Sequence, residues 1–202
     1  MAPIQHLTCA SVATSSSSAT SATRRTGLSA LAAVGAIALV GLALSACDDR
    51  TRAGVEQLTI NGKVFYLELA DTPAKRFRGL SERTQIAPDG GMLFTFPDDQ
   101  VVVQGFVMRD CPIPIDIIYL DPQGRVLTWY AMTPEPPRDP AKGEGTPADP
   151  NNIPYNLRLK QYSSRFPSQF VLELRGGTLE GLALKEGLKL NLDVDRLKRG
   201  AR

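Results

Sequence analysis

Histidine is all but missing: His6 is the only one in 202 residues. Cysteine is scarce, with Cys9, Cys47 and Cys111, and no Asp or Glu precedes Asp48. The last gap marks a leader. Ser and Thr crowd positions 11–26 around Arg24 and Arg25, and Leu28 to Ala46 is uncharged, the composition of a targeting segment rather than a domain. Loss of residues 1–46 takes the histidine away, so the mature chain has no Ser-His-Asp triad, Cys-His dyad or histidine metal site. Cys9 leaves as well, and no internal disulfide is expected. Losing Arg24 and Arg25 from 23 basic residues leaves 21, equal to the 21 acidic ones. Such a balance gives no electrostatic footprint for nucleic acid.

The uncharged run ends in Leu44-Ser45-Ala46-Cys47, which resembles the bacterial lipoprotein signal. Residues 1–46 are then a removed signal peptide, and Cys47 carries the lipid, palmitate among its acyl chains. Several chains on one residue anchor where a single one would not. Residues 47–54 form a lipidated tether. The expected location is the cell membrane, lipid-anchored and facing the periplasm or cell exterior. Asp48, after the lipidated cysteine, favours the inner membrane. The alternative is that Leu28 to Ala46 stays uncleaved as an N-terminal transmembrane anchor.

Residues 55–195 read as one β-rich domain, followed by a basic tail at 196–202 that is expected to fray. "EQLTI" and "KVFYLELA" flank Asn61-Gly62, a hairpin signal, and "IDIIYL" and "RVLTWYAM" flank "DPQG", a second. "GMLFTF", "VVVQGFVM" with a bulge at Gly105, and "SQFVLEL" supply further strands; "LKLNLDV" reads as a half-buried closing strand. "DTPAKRFRGLSER" reads as a helix capped by Thr72, with Ala74, Phe77 and Leu80 on its apolar stripe, and "TLEGLALKEG" as a second short helix. Thr133 to Pro154, dense in Pro, Gly, Asp and Asn, reads as a long loop of functional or mobile character. The expected fold is mainly β: a compact antiparallel β-sandwich or jelly-roll-like single domain with two short helices.

The order "ELADTPAKRFRGLSER", "GMLFTF", "FVMRDCPIPIDIIYLDPQG", "FVLEL" resembles domain-of-unknown-function family 192, small exported or membrane-tethered proteins of bacteria and archaea. The family's helix motif, Arg, two residues, Gly-Leu-Met, lands on Arg76, Gly79, Leu80 and Ser81. Its central motif, Phe-Trp-Met-Lys-Asn-Thr, two residues, Pro-Leu-Asp, lands on Phe106 to Cys111 and Pro114 to Asp116. Ser81 departs from Met, Val107 from Trp and Cys111 from Thr. The resemblance implies a compact jelly-roll-like domain and no particular activity.

Four residues form the candidate functional rim: Arg76, Arg109, Asp110 and Asp116. Paired carboxylates at Asp110 and Asp116 suit acid and base work, with an arginine holding a polar group, so an envelope hydrolase or other enzyme is one reading. The other has Asp116 satisfying backbone amides or pairing with Arg76. Cys111 is a thiol with a neighbouring arginine and no base, better read as a small buried hydrophobe than as a nucleophile. No metal-ligand spacing and no cofactor motif is present. Pro112 and Pro114 stiffen the entry to the next strand. Together these favour a non-catalytic domain binding an envelope protein or a small polar ligand, with the bilayer as partner through Cys47.

Overall fold

The computed structural model describes residues 54–202. The expected leader, the expected lipid site at Cys47 and most of the expected tether lie outside them. Eight strands form a six-stranded sheet, in the order β1-β2-β3-β8-β5-β6, and a two-stranded ribbon, β4-β7. The strands are β1 (Val55–Ile60), β2 (Lys63–Ala70), β3 (Gly90–Thr95), β4 (Val102–Phe106), β5 (Ile115–Leu120), β6 (Val126–Met132), β7 (Tyr162–Ser168) and β8 (Phe170–Arg175). Three short α-helices accompany them, one more than expected: α1 (Pro73–Arg78), α2 (Ile153–Arg158) and α3 (Val194–Gly200). The domain is mainly β, as its alternation and turn residues imply. Every sheet pairing is antiparallel except β2 with β3, and α1 lies in the crossover that a parallel pair requires.

Local chemistry explains the hairpins. Asn61 and Gly62 both take positive φ, 46° and 85°, so Ile60 pairs directly with Lys63 across a two-residue turn. In the β5–β6 turn, the Asp121 carboxylate accepts from the backbone N–H groups of Gln123 and Arg125. Both faces of the sheet are covered, which makes "IDIIYL" buried at every position. One face carries Phe94, Phe106, Ile117, Tyr119 and Val171; the other carries Leu67, Leu93, Ile118, Leu172 and Leu190.

Several sequence expectations need correction. The strand irregularity is not at Gly105 but opposite it: Val103 pairs with Pro167 and Gly105 with Ser163, so the extra residues belong to β7, where Arg165 has φ 62°. Thr72 does cap α1, accepting from the Lys75 N–H, yet the helix turns Arg76 inward and, of the expected stripe, only Leu80 is buried while Ala74 and Phe77 are exposed. "TLEGLALKEG" shortens to a 3-10 turn at Leu179–Gly181. "LKLNLDV" forms only one bridge, Lys189 to Arg125, because its leucines reach the second core face from irregular backbone. The basic tail does not fray: α3 buries Leu197, and the Arg202 N–H donates to the Asp71 carbonyl. The loop from Thr133 contains a 3-10 turn at Pro140–Lys142 and the start of α2, both fixed by side chains.

Candidate functional site

Chain direction reverses after β4. Val107 and Met108 are buried, and Asp110 adopts φ 50°, a left-handed turn that aspartate tolerates better than most residues. That turn aims Arg109 and Asp110 at the α2 segment, while Pro112 and Pro114 hold the exit into β5. Close packing fixes the exit further. The Gly176 N–H donates to the Pro114 carbonyl, and a Cβ at Gly176 would lie 2.6 Å from that of Pro114, which only glycine avoids.

Asp110 is fully engaged. Its two carboxylate oxygens accept from Arg138 Nε and Nη2 at 2.9 and 2.8 Å, and its own N–H donates to the Tyr155 hydroxyl. Arg138 also donates to the Glu144 carbonyl. Glu144 accepts in turn from Arg158 Nε and Nη2 at 2.6 and 2.9 Å and from the Asp139 N–H. Arg158 pulls the Glu144 carboxyl down to about 2. Both guanidinium groups lie against the Tyr155 ring, 3.9 and 4.8 Å from its centre, and Tyr155 packs with Val107 and Leu159 in a small third cluster. The Pro-rich segment is thus wrapped around one tyrosine and two forked ion pairs.

Arg109 has no such settlement. Its side chain is 0% exposed, Nε donates to Asn156 Oδ1 at 3.0 Å, and Nη1 and Nη2 have no partner. Asp110, its neighbour in sequence, has given both oxygens to Arg138. The nearest aromatic ring is Phe77, 5.9 Å away, itself 36% exposed. Burial lowers the Arg109 pKa, with Asp110 opposing the shift and Arg138 adding to it.

The other candidate residues are bonded elsewhere. Arg76, on α1, donates to the carbonyls of Thr95 and Arg202 at 2.9 and 2.7 Å and to Gln100, a clasp between three chain segments. Asp116 is buried on β5, where its carboxylate accepts from the Leu179 N–H at 2.7 Å. Burial raises its pKa and the backbone N–H groups at 177–179 oppose the rise. Arg109 and Asp110 therefore share one neighbourhood, while Arg76 and Asp116 each serve another. Cys111 is half-buried against the first core face, and its thiol lies 3.4 Å from the Arg109 carbonyl as donor. Among the described residues no group of three His, Cys, Asp or Glu side chains converges as a metal site.

Sequence reasoning missed Arg138, Glu144, Tyr155, Asn156 and Arg158, whose only signal was aromatic and charged residues interrupting a proline-rich stretch. It also passed over Glu173, a lone carboxyl in the apolar run "FVLEL". Glu173 is 6% exposed and its pKa rises to about 8 through burial, opposed by Arg83 and by the Leu80 N–H. Nearby, two adjoining pockets of about 710 and 460 Å³ share Pro88, Arg175 and Gly176 at the end of the sheet. Ile113 and Pro114 of "CPIPI" line the larger one.

No curated protein matches the chain. A crystal structure from Sinorhizobium meliloti, described as that of "a putative transcription regulator", is 25% identical with a TM-score of 0.50, covering 67% of this chain and 89% of its own. Another, of a protein of unknown function from Novosphingobium aromaticivorans, is 28% identical with a TM-score of 0.50, covering 68% and 85%. The family model described as "Uncharacterized ACR" matches residues 56–192, nearly the whole β domain together with the rim and Arg76, so the chain belongs to domain-of-unknown-function family 192.

Proposed function

We propose that the chain is a lipid-anchored envelope protein, held to the bilayer through Cys47, whose β domain binds a ligand or partner protein at the rim formed by the Arg109–Asp110 turn and the segment from Thr133 to Arg158. The observation that carries this reading is the order of that segment: two forked ion pairs and Tyr155 fix it outside either large core face. Buried ion pairs contribute little net stability compared with apolar packing, so their use here argues for a preformed polar surface rather than for a stronger core. The anchor reading is supported by Leu44 to Cys47 and the uncharged run before it. Its location is the outer face of the cell membrane, with Asp48 favouring the inner membrane.

The carboxylate enzyme reading is weaker. Asp110 is committed to Arg138 and Asp116 to the turn at 177–179, so neither oxygen pair is poised on a common substrate. The description of the Sinorhizobium protein suggests nucleic acid, but 21 basic against 21 acidic residues after the leader do not favour that partner. A thermal-shift screen of the full chain in neutral detergent, against small polar ligands and envelope extracts, tests the binding reading. A stabilising hit that vanishes in Asp110→Asn or Arg138→Gln supports the rim; a hit unaffected by both places binding elsewhere.

A further inference from the structure

The described chain enters the fold at one end of the large sheet. The Gly54 carbonyl accepts from the Leu69 N–H, next to the last residue of β2. The register carries that end across the sheet: Ala70 pairs with Phe94, Thr95 with Phe170, and Phe170 with Leu120. The ribbon meets the sheet at this same end, since the Ser168 hydroxyl donates to the Leu120 carbonyl and Ser168 pairs with Val102. Arg76 ties the two together by donating to Gln100, just before β4, and to the carbonyls of Thr95 and Arg202, while the Arg202 N–H donates to the Asp71 carbonyl.

This part of the ribbon is apolar and bare. Val102, Val103 and Phe166 are 39, 53 and 59% exposed, and the exposed Pro167 pairs with Val103. Exposed apolar side chains gathered in one place mark an interaction surface. Charges around them favour no ionic partner, because Arg165 is exposed beside Phe166 while Asp98 and Asp99 are exposed on the turn before β4. Chain length limits what can cover the patch. Gly54 lies seven residues beyond Cys47, a stretch that spans at most about 25 Å. A domain of this size is about 40 Å across. A lipid on Cys47 therefore keeps the end that holds Gly54, rather than the opposite end, beside the bilayer.

We infer that Val102, Val103, Phe166 and Pro167 form a membrane-docking tip that enters the boundary between lipid headgroups and acyl chains. The inference rests on the anchor half of the proposed function and adds to it a second contact with the bilayer and an orientation of the domain. So small a contact would not hold a protein to a membrane alone, but beside an anchor it forms at high effective concentration. The Arg109–Asp110 rim, which precedes the start of β5 at Ile115 and thus the opposite end of the sheet, then faces away from the bilayer.

The test places the full chain in phosphatidylcholine vesicles, with or without bromine on the acyl chains, and reads tryptophan fluorescence. Trp129 gives the same baseline in every variant. Val103→Trp and Phe166→Trp add a reporter at the tip, whereas Val64→Trp, beside the β1–β2 turn, and Leu157→Trp, on α2, add one at exposed apolar positions elsewhere. Bromolipid quenches the added emission of the two tip variants several-fold more than that of the other two. Phe166→Asp leaves urea unfolding unchanged, because the side chain is exposed, and reduces the quenching of Val103→Trp. Equal quenching at all four positions, or stronger quenching at Val64→Trp or Leu157→Trp, would overturn the docking tip. A tip reporter shielded from aqueous acrylamide yet untouched by bromolipid would also overturn it and give the patch to a protein partner or a second copy. Fatty-acid labelling of the same preparations tests the anchor separately. Tip quenching with no label on Cys47 upholds docking and refutes lipidation; label on Cys47 with an unquenched tip upholds lipidation and refutes docking; absence of both refutes both.

Discussion

Replacing Glu173 by Gln should abolish the loss of stability with rising pH. The carboxyl lies on β8 between Met92 and Ile117 of the neighbouring strands, beneath Leu80, and its pKa is raised from 4.5 to about 8 by burial. Between those values the folded protein holds a proton that the unfolded chain has released, so stability present at low pH is lost as pH rises toward 8. Each pH unit costs up to about 1.4 kcal/mol, on the order of 5 kcal/mol across the interval from 4.5 to about 8. Glu144 acts in the opposite sense: held near 2 by Arg158, it contributes stability above 4.5 that is lost as pH falls toward 2. Stability should therefore peak near the ordinary glutamate pKa. Urea unfolding at pH 5, 6, 7 and 8, followed by the fluorescence of Trp129, the only tryptophan, measures the alkaline limb. Glu173→Gln keeps the shape and the acceptor for the Leu80 N–H but cannot ionise, so it should match wild type at pH 5 and exceed it at pH 8. Parallel wild-type and Gln curves from pH 5 to 8 would refute the reasoning.

Two further outcomes follow from contacts already described and a third from the proposed lipid anchor. Asp110→Ala leaves the Arg138 side chain, 5% exposed, without its carboxylate and should cost about 3 kcal/mol in urea unfolding, whereas Asp110→Ala with Arg138→Met should recover much of that loss. Asp116→Ala orphans the Leu179 N–H and should cost about 2 kcal/mol, while Asp116→Asn, which retains an acceptor, costs less; equal losses would contradict the amide-holding role. Cys47→Ser should abolish fatty-acid labelling and shift the protein from membranes to the soluble fraction, a result that labelling and fractionation of the full chain reads directly. Retention of Cys47→Ser in membranes with no label in wild type would favour the uncleaved anchor.

The hairpins were legible because their information is local. Asn61-Gly62 and Asp121 to Gly124 carry turn geometry in adjacent residues, and β5 announces itself as an unbroken apolar run. What failed to show was long-range. Nothing near Arg76 says that its guanidinium will meet carbonyls at Thr95 and Arg202, so hydrophobicity alone places Leu80 correctly but misplaces Ala74 and Phe77. β7 was hidden by its polar "YSSRFPS", in which Pro167 and the positive φ of Arg165 are tolerated because the strand belongs to a ribbon rather than the central sheet. The rim was half legible. "RDCPIP" marked an unusual turn, but Arg138, which takes the Asp110 carboxylate, and Asn156, which accepts from Arg109, lie 28 and 47 positions away.

The strand order also sets when the protein can become a protein. β8 sits between β3 and β5, hydrogen-bonded to both, yet it is the last strand along the chain. Until Phe170–Arg175 has emerged, the β1-β2-β3 portion and the β5-β6 hairpin are two fragments with open inner edges and no bond between them. Their union waits on pairings across some eighty residues, such as Phe94 with Val171, the kind of distant closure that slows folding. During synthesis the domain therefore stays open until β8 is available, and then closes around a single inserted strand.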